Sequence, residues 1–272
     1  MSQASDLLPD VPGLLLKDIA ERRFNAKIVS TAAGVLAGMD ELANQAVNLG
    51  LVVRVICPTG MNIFPGSEVA SFEGKPRQIV RGEDCLLGII SKMSGIATAA
   101  RQAVMLAGKV QVVSGGWKKV PGGMKEYVRQ GLMAGGAALR MLPGPFIYLD
   151  KNYLRLLGSL EAEIKAAQIF PERRIVVQLL GETAAIGEEA VLAARLGASV
   201  IMVDTGAIED LRKCSRSLTE TGLRGRVKLA YGGGVQLMDL PRLREEDLDI
   251  VDVGRAILDA PLLDFRYDVI SK

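Results

Sequence analysis

After Gly108 the chain settles into a rhythm that few folds can satisfy. Apolar segments at 110–113, 146–149, 175–180, 199–203, 227–231 and 249–253 alternate with helical segments at about 123–134, 159–169, 183–196, 207–221 and 235–243. Runs such as "RIVVQLL" and "SVIMVD" are apolar almost throughout. That is the pattern of strands covered on both faces, as in a parallel sheet between helices. Six such units in one stretch point to a (β/α) barrel that is incomplete at this count. A doubly wound open sheet is the alternative, because a sequence pattern cannot show closure.

The earlier part has a different texture. "NAKIVST", "GLVVRVICP" and "EVASFEGKP" read as short strands broken by glycine turns, and "MDELANQAVNLG" as a helix stopped at Gly50. Residues 83–107 read as one long buried helix, with Ser94-Gly95 as a place where it could bend. The expected division is an α/β sandwich over 1–108 and a barrel over 109–272, with the C-terminal tail free to join the first sheet.

Composition removes whole classes of chemistry. There is no histidine, so imidazole bases, Ser-His triads and His-based metal sites are excluded. Cys57, Cys85 and Cys214 are far apart and suit a reducing, cytoplasmic setting. The net charge of +2 implies no bulk attraction to nucleic acid. The first ten residues, "MSQASDLLPD", have no features of a signal peptide, and no apolar run is long enough for a membrane helix. No nucleic-acid or membrane partner and no organic cofactor are expected.

In a barrel, chemistry collects just past the C-terminal ends of the strands. The first strand is followed by "SGGWKKVPGG", a basic glycine-rich loop carrying Trp117 and Lys118. The second ends in Asp150, Lys151 and Asn152, the third carries Gln178 and Glu182, and the fourth ends in Asp204 and Thr205. The fifth ends in "YGGG" (231–234) and the sixth in "DVGR" (252–255). Gly232, Gly233, Gly234, Gly254 and Arg255 are the candidate phosphate cradle, because exposed backbone N–H groups and helix starts attract anions. Tight turns alone would explain any one of them. Lys118, Arg140 and Lys151 are the cations expected at the mouth. Asp204 could hold Mg²⁺ or a ribose hydroxyl, or merely cap the next helix. Trp117 could stack on a planar ring or anchor its loop.

These motifs are similar to those of a known family. "SGIAT" (94–98), "KKVPGG" (118–123), "GGAALR" (135–140), "DKN" (150–152), "VIMVD" (200–204), "GGGV" (232–235) and "VDVGRAILDAPLLDF" (251–265) follow the order of the quinolinate phosphoribosyltransferases, also called nicotinate-nucleotide pyrophosphorylases. ModD-like proteins of molybdate operons are related to them. The resemblance spans nearly the whole chain. It implies a type II phosphoribosyltransferase: an α/β sandwich domain plus an incomplete barrel, at least a homodimer and up to a hexamer, with one subunit's first domain covering its partner's barrel. It also implies phosphoribosyl pyrophosphate as donor, Mg²⁺, and a pyridine dicarboxylate acceptor that then loses CO₂.

Several positions depart from the family pattern. Glu-Arg at the long helix is Glu83-Asp84 here, and Thr-Arg-Lys after the first barrel strand is Gly116-Trp117-Lys118. His-Arg is Leu139-Arg140, and the Lys of the "DKN" region is displaced by one position. A strand Glu stands as Gln178, and the Ser of the phosphate loop as Gly232. The implied roles are Lys118, Lys151 and Asp204 in catalysis, with Asp84, Trp117, Arg140, Asn152 and Gln178 at the substrate. The set that would read a dicarboxylate is depleted, so the expected activity is phosphoribosyl transfer to a nitrogen ring other than quinolinate, with Trp117 and Tyr153 lining its pocket. The alternative is a non-catalytic homologue that binds a phosphorylated metabolite or a protein partner.

Overall fold

The computed structural model describes residues 10–270. Residues 1–9, most of the segment examined for a signal peptide, lie outside that range. Packing separates two compact units. Residues up to Thr98, Glu126–Ala134 and those from Pro261 onward form one, and Ala99–Lys125 with Gly135–Ala260 form the other.

In chain order the elements are α1 (Val11–Leu15), β1 (Phe24–Ser30), β2 (Gly34–Val35), α2 (Met39–Asn48), β3 (Val52–Val55), β4 (Asn62–Ile63), β5 (Glu68–Gly74) and α3 (Pro76–Ala107). Then come β6 (Gln111–Val113), α4 (Lys125–Gly135), β7 (Phe146–Leu149), α5 (Lys151–Leu157), α6 (Leu160–Ala167), β8 (Arg174–Leu179), α7 (Ile186–Arg195) and β9 (Val200–Val203). The last are α8 (Ile208–Glu220), β10 (Lys228–Tyr231), α9 (Leu240–Leu243), β11 (Ile250–Asp252), α10 (Arg255–Leu258) and β12 (Phe265–Ile270).

The first unit is built on an antiparallel sheet in the order β12-β1-β5-β3. The C-terminal strand pairs along β1 from Asn25↔Ile270 to Ser30↔Phe265. Met39, Leu42 and Ala46 recur at helical spacing on one face of α2 and are buried. Gly50, at φ 77°, turns the chain out of that helix. The helix α3 begins earlier than its apolar pattern implied, at Pro76, whose missing N–H is no loss at a first helical position. It runs helical through Ser94-Gly95. "SGIAT" proves to be a packing junction. The Ser94 hydroxyl accepts from Ala37 N–H at 2.9 Å, and Thr98 Oγ1 accepts from Val35 N–H at 2.9 Å. A Cβ on Gly95 would meet the Pro261 carbonyl oxygen at 2.1 Å, so only glycine lets that strand of chain pass.

The sequence changes texture at residue 108, yet the packing changes inside α3. Ala99, Ala100, Ala103 and Ala107 are all buried and belong to the second unit.

The second unit is a six-stranded sheet in the order β6-β11-β10-β9-β8-β7, and every pairing is parallel. The two strands first in sequence therefore stand at opposite edges. Val113, Val176, Val200, Met202, Ala230 and Ile250, one or more from each of five strands, meet in one cluster, with Phe146 and Tyr148 of β7 packed against it. A flat sheet cannot bring both edges to one interior, so this sheet is curled. It stops short of closure because β6 and β7 do not pair. Ile201 and Val203 are buried on the outer face, which explains the unbroken apolar strand runs. The open doubly wound alternative is thereby excluded.

The sequence pattern missed the short helices α1 and α10 and, near the rim, α5. Asp150 caps α5 by accepting from Asn152 N–H at 2.9 Å, and Gly158 ends it at φ 85°. No helix among the described residues is long and apolar enough to cross a membrane.

Candidate active site

The C-terminal rim of the half-barrel is stitched by side chains from successive strands. Gln178 of β8 donates through Nε2 to Asp204 Oδ2, and its Oε1 accepts from Lys151 N–H at 3.0 Å. Asp204 does not cap α8: that position is Ala207, whose N–H donates to Thr205 Oγ1 at 3.2 Å. Asp252, ending β11, accepts from Gly115 N–H at 2.8 Å and so ties β11 to the basic loop. Gly232 lies between the two aspartates. A Cβ there would stand 3.1 Å from Asp204 Oδ1 and 2.4 Å from Met202 Cε. A serine would have to displace Met202, which gives a physical reason for glycine at this position.

Burial pushes the Asp252 carboxyl above the usual carboxylate range. The Gly115 N–H opposes that shift and Asp204 reinforces it, while Lys118 and Lys119 draw it down. Tyr148 is held in the neutral phenol form, first by burial and then by Asp204, Asp252 and Asp150. The inner rim is therefore acidic, with its one phenol unable to ionise near neutral pH.

Beside it is a cleft of about 280 Å³ lined by Ser114, Trp117, Lys118, Leu139, Arg140, Phe146, Tyr148 and Asp252, among others. The Arg140 guanidinium lies 5.2 Å over the Phe146 ring, and the Lys125 ammonium 5.5 Å from the Trp117 ring. Of the three cations expected to converge at the mouth, Lys118 and Arg140 line this cleft together with Trp117, while Lys151, exposed at the start of α5, does not. Nor does Tyr153: it is 49% exposed on α5 and absent from that lining, and Tyr148 takes the place foreseen for it. The reason is the Asp150 cap, which starts a helix and turns Tyr153 away. Ser114, Phe146, Tyr148 and Asp252 were missed as site residues. Asp252 had a visible signal, since it ends an apolar run as Asp204 does, and Phe146 and Tyr148 share one strand face by their spacing.

The glycine turn after β10 borders a second cleft of about 190 Å³, with Asp239 and Arg242 in its wall. Gly233 and Gly234 have φ of 100° and 97°. No described residue accepts from either N–H. Gly233 packs against Gly206 so closely that an added Cβ would stand 2.3 Å from the Gly206 nitrogen. Gly254 precedes the short helix α10, and the Arg255 guanidinium pairs with Asp259 at 2.9 Å on the exposed side of that helix. Lys151 and Asn152 occupy the exposed first turn of α5. Glu182, on the loop after β8, holds Arg155 through contacts of 2.5 and 3.0 Å. Asp84 is exposed on α3 in the first unit.

No group of three or more Asp, Glu, Cys or His side chains converges among the described residues. That is no obstacle to Mg²⁺, which is commonly held by one or two carboxylates together with substrate phosphates. Asp204, whose near neighbour Asp252 adds to the negative field, suits that role.

A half-open parallel barrel whose strand-end rim carries a glycine turn, cations and paired aspartates defines an α/β protein of the class that gathers its chemistry at that rim. Family models agree. Residues 10–94 match the N-terminal domain of quinolinate phosphoribosyl transferase and residues 96–268 its C-terminal domain. A probable nicotinate-nucleotide pyrophosphorylase (carboxylating) of Archaeoglobus fulgidus is 30% identical, over 96% of this chain and 98% of its own. The human nicotinate-nucleotide pyrophosphorylase (carboxylating) is 29% identical, over 98% and 90%. The crystal structure of the Ehrlichia chaffeensis nicotinate-nucleotide pyrophosphorylase superposes with a TM-score of 0.81 at 17% identity, covering 94% of this chain and 92% of that one. The chain belongs to the quinolinate phosphoribosyl transferase family.

Proposed function

We propose that this phosphoribosyltransferase joins the ribosyl carbon of phosphoribosyl pyrophosphate to a ring nitrogen of a planar acceptor other than quinolinate. The nitrogen lone pair forms the new bond to C1′ as the bond to pyrophosphate breaks, and pyrophosphate leaves. The reaction needs positioning and charge stabilisation more than a base, which suits a chain without histidine. The Gly233–Gly234 turn would receive a phosphate on its backbone N–H groups, and Lys118, Lys151 and Arg140 would face the anionic donor. Asp204 would hold Mg²⁺, which would supply positive charge against the donor's phosphates and the departing pyrophosphate. Gln178 orients Asp204 through its amide.

The observation that carries the altered acceptor is the cleft wall. Trp117 and Leu139 stand where the family pattern has Arg and His, and Asp252 adds an acid. Losing a buried partner for a carboxylate costs about 2–5 kcal/mol, roughly 30- to 4000-fold in affinity. The names of the relatives favour quinolinate instead, and Lys118 and Arg140 remain to meet one of its acids. Pyrophosphate release, measured with quinolinate and with a panel of azoles and pyridines, separates the two. Equal or better turnover of quinolinate would reject the first reading. We further propose a dimer, with Asp84 of one subunit facing the barrel mouth of its partner.

A further inference from the structure

The cleft beside the basic loop holds polar groups that the phosphoribosyl reading leaves unused. Ser114 is 2% exposed, its hydroxyl has no partner, and it lies in the wall of the cleft. A buried hydroxyl left without a partner is destabilising, so a ligand or water is its natural complement. Tyr148 stays a neutral phenol, and no described residue is hydrogen-bonded to its hydroxyl. Asp252 uses Oδ1 for Gly115 N–H, while a carboxylate can accept about four hydrogen bonds. Its Oδ2 lies 2.8 Å from where a Gly115 Cβ would sit, so glycine at 115 is what lets the carboxylate rest there. The remaining wall combines broad apolar surface from Trp117, Leu139 and Phe146 with the cations Lys118 and Arg140, whose charge the Asp252 carboxylate offsets on the inner side.

We propose that this cleft selects a neutral planar nitrogen ring bearing an N–H group, with Asp252 accepting that N–H and Ser114 and Tyr148 meeting the rest of the ring's polar edge. The inference rests on the phosphoribosyl-transfer reading, of which it names the acceptor class. The flat wall and the small volume suit one or two fused rings. An acid on the inner edge of the ring would face Asp252, and like charges placed together at an interface cost several kcal/mol. A purely apolar ring would leave Ser114 and the free carboxylate oxygen without partners. The bland alternative is that Asp252 merely pins the basic loop. Asp252→Asn can keep that tie to Gly115 through its amide oxygen, while it removes the charge and turns the other acceptor oxygen into an N–H donor.

The test is isothermal titration of the whole protein with benzimidazole, with 1-methylbenzimidazole, which keeps the shape and loses the N–H, and with quinolinate. Phosphoribosyl pyrophosphate with Mg²⁺ is titrated separately. The wild-type protein should bind benzimidazole about 30-fold or more tightly than its N-methyl analogue, since a site built for a donor rejects the analogue lacking it. Asp252→Asn should shrink that ratio at least tenfold and strengthen quinolinate binding. Equal binding of the matched pair, tighter binding of quinolinate than of benzimidazole, or no binding of either azole overturns the proposal. If Asp252→Asn does not fold, the wild-type ratio alone decides. Ring preference without donor binding would sink the transferase reading and leave the cleft assignment standing, and donor binding without ring preference would do the opposite.

Discussion

The two sides of the barrel rim contrast in how far they follow the family. On the side of β9 and β10, Asp204 and the last two glycines of the turn follow the family's pattern while Gly232 stands in place of its serine, and backbone geometry dictates most of the turn. Gly233 must pass within contact of Gly206, and both glycines adopt positive φ. On the side of β6 and β7, side chains make the wall, and there Trp117 and Leu139 stand where the resemblance implies Arg and His. The difference teaches that a turn fixed by main-chain contacts resists change, while a cleft wall built from side chains can be rewritten residue by residue without disturbing the sheet.

The largest expected effect breaks or keeps that contrast directly. Quinolinate kcat/KM should rise by about 30-fold or more in the Trp117→Arg, Leu139→His double variant, as two partners for its carboxylates return. Steady-state kinetics reads this, and an unchanged or lower value would show that the β6–β7 wall does not set the acceptor.

The opposite side is tested through its backbone. Gly233→Ala forces a Cβ into the Gly206 backbone at an unfavourable φ. It should cost about 3 kcal/mol in urea denaturation. Gly234→Ala has a similar φ but open space around it, so about 1 kcal/mol is expected. Equal costs at the two positions would mean that the close Gly206–Gly233 approach is not maintained.

A third measurement concerns a group beneath both sides. Glu163 of α6 is fully buried, and neither of its carboxylate oxygens has a hydrogen-bond partner. Burial, then Asp150 and Glu189, raises its pKa from 4.5 to about 7. Glu189 itself accepts from the N–H groups of Gly181, Thr183 and Ala184 and from the Thr183 hydroxyl. A carboxyl raised on folding favours the native state fully below its unfolded pKa, and that advantage is lost as pH rises through the folded value. Stability should therefore fall from about pH 4.5 to pH 7, by on the order of 3 kcal/mol from this group. Glu163→Gln should remove that slope in denaturation curves across the range. It should leave the ratio of azole to quinolinate turnover unchanged, because it touches neither cleft wall.

The smallest effect is at Asp84. Asp84→Arg should raise the dimer dissociation constant by a factor of a few, about 1 kcal/mol, as expected for an ion pair at a partly solvated surface. Sedimentation at micromolar concentration checks it. A wild-type monomer would reject both the dimer and the pairing.

Much of the architecture was legible in the chain itself. The strands of the barrel fall within a residue or so of where unbroken apolar runs place them, because a strand buried on both faces tolerates almost no polar residue. The start of α2 at Met39 was equally plain from its spacing, and Gly50 marked its end. Asp204 and the glycine turn stood out because each ends an apolar strand, although a helix cap and a tight turn were equally open readings until Ala207 proved to be the cap of α8. The rest depended on which strands become neighbours. Nothing local says that β6 and β7 stand at opposite edges, or that Asp252 therefore reaches Gly115 from a strand 137 residues away in sequence. Tyr148 and Tyr153 look equally suited to line a ring pocket. The Asp150 cap turns one outward, and the curl of the sheet turns the other in. Sequence periodicity records which residues share a face of one element. Only the closing of that element against others decides what the face looks onto.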